Sequence, residues 1–350
     1  IGGDKMNKEV KFVMSDGLVI RGSLEGNLDS DNLVVMLHSG GYDRHEQGIK
    51  EAKKNPETGK TEKVFYNPQG NYDYLTTMLK DDYCVLRIDQ RNHGKSGKNV
   101  DVQKLDEKLN EFNLSESEKQ EIVKALHERD NKKISELATS DDLNMLLHRP
   151  PLKDMSFVEM SKDLEEVMKQ LPEVVGKSFN SVDYVGTCMG TVVLGLYLEN
   201  EKNRENVNSI TLFSPLYTFD YSFTNTPEDA GLLAKKKQVI ESGKQFRLGN
   251  AVEGKSTYDE VARFSDEFIE NLKNLDIPTY CIQGTSDVLV PEQEQLKLFT
   301  EVIKNRLGKG LSEVYYAEIE GVHCLYDSLY PSLVEVSDFI NANHQAQKTI

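Results

Sequence analysis

The chain has 350 residues, enough to bury a large core as one α/β domain with insertions or as two domains. Its formal net charge of −16 argues against nucleic acid or an anionic membrane as a general partner. Hydrophobic residues make up 38%, and no apolar run approaches the ~20 residues that a membrane helix needs.

Residues 1–10 carry no apolar signal-peptide region, and Met6 is a candidate start residue. Cys84, Cys188, Cys281 and Cys324 form no CxxC pair, and the seven histidines form no HExxH or comparable cluster. These features predict a reducing, cytoplasmic setting without a disulfide framework, metal centre or cofactor.

Residues 8–14 and 18–25 read as two strands joined by a turn at Ser15-Asp16-Gly17. Residues 32–38 (NLVVMLH) form a continuous apolar run, expected for a strand buried on both faces of a mostly parallel sheet. The loop His38-Ser39-Gly40-Gly41 follows. Alone it is an ordinary strand-ending turn; beside a reactive centre it can offer a backbone N–H. Residues 43–70 are polar, with a turn at 55–60, and fit an exposed hairpin at the rim of a site.

A helix is expected over 72–79 and a buried strand over 83–88, ending in Asp89-Gln90-Arg91-Asn92-His93-Gly94-Lys95-Ser96-Gly97. Residues 99–151 are highly charged and helix-forming. Ser115 and Glu118 make a capping box ahead of Ile122, Val123, Ala125 and Leu126. This stretch is either a solvated helical insertion or a lid over a binding site, because its apolar face must pack on something. Residues 156–171 place Phe157, Met160, Leu164, Val167, Met168 and Leu171 at helical spacing, as core packing.

Residues 181–185 read as a buried strand, and a helix can run from Met189 through Leu198. Between them stands Gly186-Thr187-Cys188-Met189-Gly190. A residue held in a strained strand-to-helix turn needs small neighbours two positions before and after it. The helix N-terminus then turns N–H groups towards the site and favours an anionic sulfur or oxyanion.

Further strands are expected at 209–213, 277–283 and 314–319. The intervening 216–275 is a second candidate cap, with Tyr217, Phe219, Tyr221 and Phe223 suited to an apolar pocket or to core packing. Gly284-Thr285-Ser286-Asp287 with Pro291 follows one strand, and Gly321-Val322-His323 follows the last. Helices are expected over 292–306 and 330–341. Alternating strands and helices imply a parallel sheet covered on both faces, with its loops sharing one edge.

Cys188, Asp287 and His323 then meet at that edge in the order nucleophile, acid, histidine. A thiol needs a base or a paired imidazolium to act as thiolate, and the imidazole needs a carboxylate to fix its tautomer.

These motifs resemble the α/β-hydrolase family, most closely its monoglyceride-lipase or serine-aminopeptidase-like branch. The resemblance covers residues 8–340, less the insertions. It implies a doubly wound, mostly parallel sheet with helical caps: a core over 1–98, 152–216 and 276–350, a helical insertion at 99–151 and a cap insertion at 217–275. It also implies that Asp89, Arg91, His93 and Ser96 are scaffold. The implied oxyanion donors are the Met189 N–H and one from Gly40, with Gly41 or Ser39 as alternatives. Ser39 stands where the family usually has glycine, and Cys188 where most members have serine. A native cysteine and a replacement of serine both fit that departure.

The expected activity is hydrolysis of a small carboxylic ester or thioester through an acyl-enzyme on Cys188, with peptide bonds ranked lower. An acyltransferase using the same triad and a ligand-binding protein on a hydrolase scaffold are the alternatives.

Overall fold

A computed structural model describes residues 7–47, 49–54, 61–65, 69–215, 238–248, 251–287, 292–325 and 329–347. The turn at 55–60, the aromatic residues Tyr217, Phe219, Tyr221 and Phe223, Pro291 and Met6 lie outside the described residues.

Eight strands form one sheet: β1 (Lys8–Val13), β2 (Val19–Gly26), β3 (Asn32–Leu37), β6 (Cys84–Asp89), β7 (Ser181–Thr187), β8 (Val207–Phe213), β11 (Thr279–Gly284) and β12 (Val314–Ile319). Their order is β1-β2-β6-β3-β7-β8-β11-β12. β2 runs antiparallel to both β1 and β6, and the pairings from β6 to β12 are parallel.

The continuous apolar runs are explained by burial on two faces. In β3, Leu33, Val35 and Leu37 enter one core, while Val34 and Met36 enter the other. In β6, Cys84, Leu86 and Ile88 join the first core and Val85 the second. A strand with period-two geometry and helices on both sides favours apolar residues on both faces, and the buried Arg87 of β6 is instead ion-paired with Glu25 and Asp73. Edge strand β1 instead alternates, with Val10 and Phe12 buried and Glu9, Lys11 and Val13 exposed.

One face is covered by α1 (Asn71–Leu79) and α10 (Leu329–Gln347), through Tyr72, Leu75, Leu333 and Val336. The other carries α6 (Phe157–Val175), α7 (Met189–Tyr197), α8 (Lys255–Asn274) and α9 (Glu292–Lys309). In α6, Phe157, Met160, Leu164, Val167 and Leu171 are buried, as their spacing predicts. Ser156 caps that helix by accepting from the Glu159 N–H, and Gly176 ends it at φ 83°.

Between β6 and α6 lie α2 (Val102–Leu109), α3 (Glu116–Glu128), α4 (Asn131–Leu137) and α5 (Asp141–His148). The capping box is present: Glu118 N–H donates to Ser115 Oγ at 3.3 Å, and Ser115 N–H donates to Glu118 Oε2 at 2.7 Å. Leu105, Ile122, Leu126, Ile134, Leu143 and Leu147 form a third, separate core that includes Val252. The insertion therefore satisfies its apolar face mainly on itself.

Strands β4 (Ile49–Lys54) and β5 (Thr61–Phe65) pair as an antiparallel hairpin, and β9 (Phe246–Leu248) pairs with β10 (Ala251–Glu253). Within 217–275, α8 packs into the main core through Phe268, Ile269 and Leu272. No helix among the described residues is long and apolar enough to cross a membrane.

Candidate active site

Parallel register brings the loops together. Leu37 pairs with Gly186, Thr187 with Phe213, Phe213 with Ile282, and Gly284 with Ile319. The carboxyl ends of β3, β7, β8, β11 and β12 therefore align, and the next residues are His38–Gly41, Cys188, Ser214, Asp287 and His323.

Cys188 sits at φ 48°, ψ −107°, between the end of β7 and the first residue of α7. A non-glycine residue in this region costs on the order of 1–3 kcal/mol and persists only where its surroundings impose it. Here its N–H donates to Phe213 O at 2.9 Å, and its carbonyl accepts from Thr191 N–H at 3.0 Å and Thr191 Oγ1 at 2.6 Å. The two glycines are needed for different contacts. A Cβ on Gly186 would lie 3.0 Å from the Gly190 carbonyl, whereas one on Gly190 would lie 2.2 Å from Leu37 O on β3. The second glycine thus lets α7 approach the sheet.

Asp287 and His323 meet as expected: His323 Nδ1 donates to Asp287 Oδ2 at 2.7 Å. The Asp287 side chain is fully buried, and Gln283 Nε2 donates to the same oxygen at 2.7 Å. Backbone bonds tie the two loops, with Thr285 N–H on Ile319 O and Ser286 N–H on Gly321 O, each at 2.9 Å. His323 Nε2, across the ring, is buried and has no hydrogen-bond partner among the described residues.

A second thiol, Cys324, for which no sequence motif stands out, also lies near His323. The donor atoms of Cys188, His323 and Cys324 lie within 4.8 Å of one another. The neighbouring Cys324 thiol holds the Cys188 thiol well below its ordinary range, against the opposing effect of burial and aided by the His323 charge. Burial alone would lower the His323 pKa, but the Asp287 carboxylate and the Cys188 charge hold it well above the ordinary value. Burial and the Cys188 charge push Cys324 well above its usual range, so it remains a thiol. The cluster thus favours a thiolate–imidazolium pair beside a neutral thiol. The available signal was adjacency: Cys324 directly follows His323.

On the β3 side, the three alternative oxyanion donors differ. Ser39 N–H donates to Glu46 Oε2 at 2.7 Å, and Gly41 N–H donates to His93 Nε2 at 3.3 Å. Gly40 lies beside the elbow, where an added Cβ would be 3.9 Å from Met189 Sδ. Met189 opens α7, in the first turn where N–H groups lack intrahelical acceptors. Glu46 was not selected from sequence; its buried carboxylate also accepts from Ser39 Oγ at 2.5 Å.

Asp89 and Arg91 are engaged within the fold. Asp89 accepts from Arg44 N–H and Lys95 N–H, each at 2.9 Å. Arg91 forks onto Asp163 at 2.6 and 2.5 Å. Burial lowers the pKa of His38 to about 4 and that of His93 to about 3, so both rings stay neutral. His93 Nδ1 is 2.8 Å from Arg91 O, which fixes the proton there and leaves Nε2 to accept from Gly41.

This sheet order, with two antiparallel leading strands and a strained β7–α7 junction, is the α/β-hydrolase fold. No protein-family model matches the sequence, and no curated protein does. Among solved structures the chain is similar to the Pyrococcus furiosus esterase Pf2001, with 17% identity, 96% of this chain and 92% of that one covered, and a TM-score of 0.50. It is also similar to DcsB in complex with its substrate analogue, with 13% identity, 97% and 100% covered, and a TM-score of 0.54. Est1E from Butyrivibrio proteoclasticus, bound to ferulic acid, has 11% identity, 96% and 100% covered, and a TM-score of 0.51. At these identities the likeness is one of fold.

Proposed function

We propose that this protein hydrolyses small carboxylic esters or thioesters through an acyl-enzyme on Cys188. The observation that carries this reading is the line from the strained Cys188 to His323 and the buried Asp287. In it, the Cys188 thiolate attacks the acyl carbonyl. The tetrahedral oxyanion is held by the N–H groups of Met189 and Gly40. His323 protonates the leaving oxygen or sulfur, then takes a proton from water, which cleaves the acyl thioester. Asp287 fixes the ring so that Nε2 faces the reaction. Occupied N–H groups on Ser39 and Gly41 support Gly40 as the second donor. The esterase names of Pf2001 and of other solved neighbours agree with ester chemistry.

The test is hydrolysis of short p-nitrophenyl esters by the unaltered chain, Cys188→Ser and Cys188→Ala, with intact mass spectrometry. Turnover by the unaltered chain that is lost in Cys188→Ala supports the reading and makes cysteine the working nucleophile. An acylated Cys188 that stalls while Cys188→Ser turns over keeps the triad but makes serine the competent nucleophile. Acylation of no variant overturns the proposal.

A further inference from the structure

Cys324 occupies a position built to hold it. It adopts φ 61°, ψ 9°, a left-handed conformation that side chains other than glycine seldom take. Its N–H donates to Ser214 Oγ at 3.0 Å, and its carbonyl accepts from Asn71 Nδ2 at 3.3 Å. Ser214 is itself buried at φ 42°, at the end of β8. Two side chains, one following β8 and one opening α1, therefore pin the backbone on either side of one buried thiol. That thiol lies with the Cys188 sulfur and a His323 ring nitrogen, all within 4.8 Å.

We propose that Cys188, Cys324 and His323 form a site for a thiophilic divalent cation of the zinc class, with a fourth position open. Two sulfurs and an imidazole are a ligand set that selects zinc-like ions over magnesium or calcium. Zinc–sulfur and zinc–nitrogen bonds of about 2.3 and 2.0–2.1 Å place donor atoms under about 4 Å apart, a separation that donor atoms already within 4.8 Å of one another reach by small side-chain shifts. The histidine is already arranged as a metal ligand. Nδ1 is engaged by Asp287 at 2.7 Å, the carboxylate–histidine relation usual behind a metal, and Nε2 is buried without a hydrogen-bond partner among the described residues. Binding displaces two protons to solvent, one from the Cys324 thiol and one from Nε2 of the His323 imidazolium, and ties up both Cys188 and His323. The cation is therefore a reversible inhibitor of acyl-enzyme formation. That consequence rests on the function proposed above, but the binding does not.

The experiment uses the full chain, reduced and stripped with chelator. Cobalt(II) is added as a spectroscopic probe, and zinc is used to displace it. The expected result is one equivalent of cobalt with a thiolate-to-cobalt charge-transfer band, lost on adding zinc. Cys324→Ser, Cys324→Ala and Cys188→Ser should each weaken binding at least about 10-fold, while Cys84→Ser leaves the band in place. Melting curves for each variant separate a lost ligand from a lost fold. Should neither Cys324 variant fold, the Cys188→Ser result decides. Zinc should inhibit ester turnover in the unaltered chain and be at least about 10-fold less potent on Cys324→Ala. Absence of the band, or a band unchanged in every folded variant, overturns the metal site even if ester turnover is intact. A band that requires Cys188 and Cys324 in a chain without ester activity upholds the metal site and overturns the acyl-enzyme instead.

Discussion

Replacing Asp287 by asparagine keeps the shape of the buried acid and removes its charge. In the native arrangement one oxygen, Oδ2, accepts from both His323 Nδ1 and Gln283 Nε2, each at 2.7 Å. A buried hydrogen bond to a charged group contributes about 1.5–3 kcal/mol, which as a barrier is about 10- to 150-fold in rate. The asparagine amide also lets its NH2 face Nδ1, which puts the ring proton on Nε2, the side that must act as base. We expect the two effects together to slow acylation of Cys188 by about 100- to 1,000-fold. The assay is the pre-steady-state release of p-nitrophenolate, with mass spectrometry to place the acyl group and a melting curve to show that the fold is kept. An Asp287→Asn protein that acylates within about threefold of its parent, while His323→Ala is inert, would refute the assigned role.

At Gly190, the alanine Cβ would lie 2.2 Å from Leu37 O, so Gly190→Ala should cost about 3 kcal/mol in urea unfolding. Gly308→Ala is the matched control: nothing lies within 4 Å of its Cβ, and a helical glycine replaced by alanine should gain about 0.5–1 kcal/mol. Arg91→Ala leaves Asp163 buried without its fork and should lose about 3–5 kcal/mol, partly recovered in the double variant with Asp163→Asn. Asp73 contributes a pH-dependent term. Burial alone would raise its pKa, but the His45 and Arg87 contacts lower it to about 2. Its folded pKa is below the free value of about 3.9, so the stabilisation is present above that pH and lost as pH falls towards 2. Asp73→Asn should cost about 1–2 kcal/mol at neutral pH and flatten the stability curve over that acid interval.

The order of strands and helices was legible because the strands carry short, mostly apolar runs such as Leu33–Leu37 and a covering helix such as α6 a single apolar stripe. Cys188, Asp287 and His323 were legible for a related reason. The glycines at Gly186 and Gly190 mark a local backbone demand, and parallel strands bring their following loops to one edge. The fate of residues 99–151 was not legible, since an apolar face has the same periodicity whether it packs on a site or on its own helices. Here the third core shows it packed largely on itself, with Val252 added from β10.

Local chemistry, then, is what the sequence determined by itself: which stretches are strand, turn and helix, and which three residue types stand after β7, β11 and β12. Tertiary structure alone decided the finer site. Ser39 and Gly41 became occupied donors only because Glu46 and His93 fold back onto their loop. Cys324 became a neighbour of Cys188 only because Ser214 and Asn71, distant in the chain, pin it in a left-handed turn. Periodicity and motif spacing report interactions between near residues. The Cys324 hydrogen bonds, which join residues more than a hundred positions apart, follow from the packing of the whole sheet, and no local pattern encodes them.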